Sequence, residues 1–152
     1  AGGDDDANYT SGVGKGGYGS GSGDNGGNGA IYLNISVSTA VPGDLTLQST
    51  DSTASSAPTK ADMVMLIENY AGTATLNTDI KGYISRDSGT TFTQGTLVDE
   101  GTWGTNKKIV AFHNADISGQ PSGTSMCYKI TTHNQSGGSK ETRIHATSMG
   151  WS

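Results

Sequence analysis

Apolar and polar residues alternate with period two from Ala30 onward: Ile31, Leu33, Ile35 and Val37 fall on one side of an extended chain, Tyr32, Asn34 and Ser36 on the other. That pattern predicts a half-buried strand. Pro42-Gly43-Asp44 is a turn sequence, and Leu45 and Leu47 resume the alternation after it, so a short second strand and a hairpin are expected. Residues 50–60 (TDSTASSAPTK) carry no periodic apolar position and read as a surface loop. Residues 62–68 (DMVMLIE) form a continuous apolar run, short for a helix and suited to a strand covered on both faces. Further strands are expected at 80–86, 91–99, 108–116, 125–132 and 140–148, each bounded by Gly, Asn, Asp or Ser. With no amphipathic helix between them, the fold class is all-β, a β-sandwich of jelly-roll-like type whose strand order the pattern leaves open.

Composition sharpens this picture. The chain has 152 residues, enough for one domain, but only 32% are hydrophobic and 24 are glycine, so the core must come from alternating positions. Half of those glycines lie in residues 1–29, beside Asp4, Asp5 and Asp6. This segment is expected to be a glycine-rich extended arm, either a flexible linker or an assembly arm laid on a neighbour, with residues 30–152 forming the sandwich. A net charge of −5 with nine dispersed basic residues argues against a nucleic-acid partner. The single cysteine, Cys127, excludes an internal disulfide and a CxxC pair. The longest apolar stretch, 63–67, is far shorter than a membrane span, and no membrane partner is expected. Residue 1 is Ala, which suggests processing or a longer parent chain.

Candidate chemistry is sparse. His113, His133 and His145 have no second ligand at metal-site spacing, His113 and Asp116 being the nearest approach, so no metal and no cofactor is expected. No G-x-S-x-G elbow accompanies the many Ser, His and Asp residues. Glu68, Asp79, Asp87, Asp99 and Glu100 read as turn and rim residues rather than as a glycosidase pair. Gly14-Lys15-Gly16-Gly17 lacks the strand and helix of a phosphate loop, and Asp4 to Asp6 lack calcium-loop spacing. No catalytic residue is assigned, and the chain is expected not to be an enzyme. The contact candidates are aromatic: Trp103, in a Gly-Thr-Trp-Gly loop, with Tyr83 as a receptor or glycan platform. The competing expectation is that Trp103 and Trp151 close the ends of the sandwich.

The sharpest motif is Ser85-Arg86-Asp87-Ser88-Gly89-Thr90-Thr91-Phe92, which resembles the Asp-box pattern S-x-D-x-G-x-T-[WF] of hairpins in sialidases and many extracellular β-proteins. Asp87 is placed to accept turn N–H groups, Gly89 to take a positive φ, and Phe92 to pack beneath the turn. Ser85, Asp87, Gly89, Thr91 and Phe92 are therefore assigned to a structural hairpin, which in Asp-box families lies away from any catalytic centre. The longer string from Leu76 to Gln94 is similar to a C-terminal β-rich module of tail-fibre and other virion structural proteins of marine tailed phages. The similarity continues through Leu97-Val98-Asp99-Glu100-Gly101, the stretch from Asp116 to Met126, Lys140-Glu141-Thr142-Arg143-Ile144-His145 and Trp151, covering about residues 62–152. This resemblance implies a bacteriophage structural protein at the virion surface, extracellular, forming a homotrimer or higher homo-oligomer with other virion proteins. It also implies a role in host attachment, with a host-surface glycan as candidate ligand. The alternatives are a capsid decoration protein, a self-polymerising filament subunit whose N-terminal arm is donated to its neighbour, and a carbohydrate-active enzyme.

Overall fold

Alternation in the sequence becomes alternation in burial. In the computed structural model, which describes residues 43–152, Lys60–Ala71 is one strand of 12 residues in which Ala61, Met63, Met65, Ile67 and Asn69 turn inward. Nine strands follow in chain order: β1 (Thr46–Gln48), β2 (Ser52–Thr53), β3 (Lys60–Ala71), β4 (Ile80–Ser85), β5 (Thr93–Gly95), β6 (Val98–Gly104), β7 (Lys107–Asp116), β8 (Ser125–Thr132) and β9 (Glu141–Trp151). They form two antiparallel sheets. One has the order β1-β8-β4-β5, with β2 also on β8, and the other has the order β6-β7-β3-β9. The fold is thus all-β, with two open sheets in a sandwich-like arrangement. The expected arm at 1–29 and the strand at 31–37, with its hairpin to β1, lie outside the described residues.

The core sits where the inner faces meet. Met63, Met65 and Ile67 from β3 join Val110 and Phe112 from β7, Ile80 and Ile84 from β4, and Met126 and Ile130 from β8. Burying each such side chain contributes about 1.5–3 kcal/mol relative to leaving it in water. Two glycines set how closely the sheets approach. Gly82 of β4 and Gly95 of β5 are directly opposite each other, and the Phe112 ring lies against both. A Cβ on Gly82 would stand 2.7 Å from the Met63 sulfur, and one on Gly95 would enter the Phe112 ring.

Three expectations change. The single strand at 91–99 divides into β5 and β6, which belong to different sheets. Leu97, between them, drops into the core at 2% exposure, and Asn77 grips it at both ends. The Asn77 Oδ1 accepts the Leu97 N–H at 2.7 Å, and the Asn77 Nδ2 donates to the Leu97 carbonyl at 2.8 Å. The stretch 50–60 is less of a surface loop than its polarity suggests, because Ala54 and Pro58 are buried and β2 pairs with β8. The run at 62–68 is not enclosed on both faces, since Val64 and Leu66 are only half-buried on the outer side.

Candidate functional site on the outer sheet faces

The turn between β4 and β5 is built by the Asp-box residues. Ser85 donates its hydroxyl to Asp87 Oδ1 at 2.6 Å, and the same Ser85 oxygen accepts the Gly89 N–H at 2.9 Å. Asp87 Oδ1 also accepts the Thr91 N–H at 2.8 Å. Burial pushes the Asp87 carboxyl up, but the Ser85 and Thr91 hydrogen bonds prevail and hold it below the usual carboxylate range. Gly89 has φ 78°, and it lies against the Gln48 amide and the Phe92 ring. A side chain there would meet both strain and collision.

Two polar hubs were hidden from the sequence. Arg86, at 5% exposure, sends its guanidinium to four backbone carbonyls: Pro58 at 2.6 Å, Ser118 at 2.9 Å, Pro121 at 3.1 Å and Gln120. The Gln120 side chain returns to the same corner, accepting the Arg86 N–H at 2.9 Å and donating to the Ile84 carbonyl at 2.8 Å. Asp79 is the second hub. It accepts bonds from Lys140 Nζ at 2.7 Å, Asn134 Nδ2 at 2.8 Å and the Thr75 N–H at 2.9 Å. These bonds, the Lys140 one foremost, hold its carboxyl far below the usual range. Both hubs pin loops to the frame, so their groups are engaged in structure.

The outer face of the β1-β8-β4-β5 sheet carries Tyr83. In register, Gln48 of β1 faces Lys129 of β8, Lys129 faces Tyr83 of β4, and Tyr83 faces Gln94 of β5. Lys129 Nζ stands 4.8 Å from the Tyr83 ring centre and 4.0 Å from that of Phe92, a double cation–π contact. The neighbouring row contains Thr46, Thr131 and Lys81.

Trp103 lies elsewhere. It belongs to strand β6 rather than to a loop, and it stands on the outer face of the other sheet at 37% exposure. Its ring meets His145 of β9 edge to face, with centres 5.2 Å apart, and Lys107 Nζ at 4.7 Å. His145 Nε2 is 2.9 Å from Glu68 Oε2, and this hydrogen bond lowers the Glu68 carboxyl. Nearby, the Arg143 guanidinium stacks 3.3 Å over the Tyr70 ring. The proposed pairing of Tyr83 with Trp103 therefore does not form: β4 and β6 belong to different sheets, and the two rings look outward on opposite sides of the core. Trp151, partly buried at the end of β9, packs against the core.

The remaining candidates are dispersed. His113 faces Asp62 at 3.5 Å and Glu100 at 3.7 Å. It does not face Asp116, which a bulge in β7 separates from it and which pairs with Lys60 at 3.1 Å. His133 meets the Thr131 hydroxyl at 2.9 Å. Among the described residues no three His, Cys, Asp or Glu side chains converge as a metal site would require, and no helix is long and apolar enough to cross a membrane. Cys127 has no exposed surface, and burial together with the charges of Asp51 and Asp87 pushes its thiol up. Comparison with protein-family models, curated proteins and solved structures gave no match for this chain.

Proposed function

We propose that this chain is a structural module of a bacteriophage virion surface, a tail-fibre or appendage domain that assembles with further copies of itself and with other virion proteins. In this reading its outer sheet faces serve host attachment. The observation that carries the proposal is the strand order. The chain crosses between sheets at β2 to β3, β3 to β4, β5 to β6, β7 to β8 and β8 to β9, which gives β1-β8-β4-β5 opposite β6-β7-β3-β9. Such repeated crossing supports a jelly roll, an architecture that recurs in viral capsid and lectin domains. Fold alone does not assign function, so the side chains must agree with it. Here the buried Asp79, Arg86 and Gln120 and the half-buried Asp87 tie loops together, while Tyr70, Tyr83, Trp103, Lys129 and Arg143 occupy outer faces, where aromatic and cationic residues favour recognition.

Labelling the chain on purified particles and viewing them by electron microscopy tests this reading. Label confined to the tail or its fibres is the expected result. Label spread over the capsid would favour a decoration protein, and unlabelled particles with filaments of the pure chain would overturn the virion assignment. Turnover of polysaccharide by the purified chain would overturn the non-enzymatic part.

A further inference from the structure

We propose that the outer face of the β1-β8-β4-β5 sheet binds an anionic saccharide, with Lys81 and Lys129 meeting its acidic groups and Tyr83 packing against a sugar ring. This inference rests on the attachment reading and adds to it a face and a ligand class.

The first support is charge. Along the middle of this face the outward strand positions are Thr46, Gln48, Lys81, Tyr83, Gln94, Lys129 and Thr131, and none of them is a carboxylate although the whole chain carries −5; the carboxylates Asp51 and Asp87 lie at one end, beside the Ser85–Cys127 pair. Lys60, Lys108 and Lys140 all sit in ion pairs. Lys81 and Lys129 have no such partner among the described residues, and the aromatic contacts of Lys129 leave its charge uncancelled. The opposite outer face is mixed in sign, with Asp62, Glu68 and Glu100 beside Lys107 and Arg143.

Geometry is the second support. Gln48, Lys129, Tyr83 and Gln94 are direct neighbours across four strands. At an interstrand spacing of about 4.8 Å the row is about 14 Å long, a track suited to a short oligosaccharide lying across the strands. Glutamine amides and threonine hydroxyls both donate and accept, which matches sugar hydroxyls, and the aromatic ring offers an apolar surface to sugar C–H groups. Among the described residues the face offers no aliphatic anchor of the kind a protein interface uses. Two lysines are also few for a nucleic acid.

Titration calorimetry with the full chain tests the site, using alginate oligosaccharide as the carboxylated probe and dextran sulfate as the sulfated one. Neutral dextran and single-stranded oligothymidine serve as comparisons. Binding of at least one acidic saccharide is expected, falling with added salt. The double variant Lys81→Gln/Lys129→Gln should weaken it by about tenfold or more, as loss of charge-assisted hydrogen bonds implies. Lys60→Gln, which removes an ion-paired lysine of the other sheet, should bind like the wild type, and matching thermal melts would show that the lysine variant is folded. The site is refuted if neither acidic saccharide binds, if neutral dextran or oligothymidine binds as well, or if the lysine variant is unaffected. A chain found on the particle that binds neither polyanion would remove this inference and leave the attachment reading. Lysine-dependent saccharide binding by a chain found on no particle would do the reverse.

Discussion

A guanidinium keeps its charge at any pH a protein survives, so burying Arg86 demands acceptors for its N–H groups. Carbonyls from two loops, Pro58 in one and Ser118, Gln120 and Pro121 in the other, accept four of its five N–H groups, and Arg86 thereby clasps the β2–β3 loop to the β7–β8 loop. An ammonium cannot span that set of acceptors. Arg86→Lys should destabilise the fold by about 2–4 kcal/mol, read as a shift in urea midpoint, by leaving buried carbonyls unsatisfied. Gly89→Ala should cost about 1–2 kcal/mol from the left-handed backbone alone, with the crowding by Gln48 and Phe92 adding to it. These two residues show what a motif makes legible. The Asp-box pattern names Gly89 but treats the position of Arg86 as free, so the more deeply buried residue was invisible to it. Asp79 and Lys140 were equally hidden, being 61 positions apart and brought together only by the pairing of distant strands.

At the level of elements, the sequence pattern was a sound guide to β7 and β8. The run at 125–132 coincides with β8, and 108–116 falls one residue short of β7. It failed where the chain changes sheets, because Thr93, Gln94, Gly95 and Val98 look locally like one extended stretch, and only the burial of Leu97 and its grip by Asn77 break it. It failed again at β6, whose seven residues are all exposed and include two glycines, so no burial pattern marks the strand. The meeting of β5 with β7 gives a test of sheet separation. Gly95→Ala should destabilise the domain by about 1–3 kcal/mol, since the added methyl enters the space of the Phe112 ring. Replacing that ring in the same chain, as Gly95→Ala/Phe112→Leu, should be less destabilising than the sum of the two single changes, a coupling that chemical denaturation of the four proteins measures.

Across the whole molecule, the carboxylates of Asp79, Asp87, Asp99 and Asp116 are all held below their ordinary range, Asp116 down to about 2 by the Ser118 bonds and Lys60. A carboxylate whose folded pKa is depressed stabilises the fold above its unfolded value, about 4, and loses that contribution as pH falls through the folded value. Stability should therefore decline as pH drops from about 4 towards 2, and Asp79→Asn should be less stable at neutral pH but less sensitive to acid, as urea midpoints against pH would show. The all-β architecture could be read from the chain, whereas which strands face each other could not, since that depends on contacts between residues dozens of positions apart.

The buried thiol has one more consequence. Because Cys127 is the sole cysteine of the chain and has no exposed surface, a thiol reagent takes up one equivalent per molecule only when the β2–β8 corner opens. The labelling half-life is then a clock for that opening, one that runs without denaturant and needs no engineered probe. Loosening the neighbouring clasp with Arg86→Lys should make it run faster.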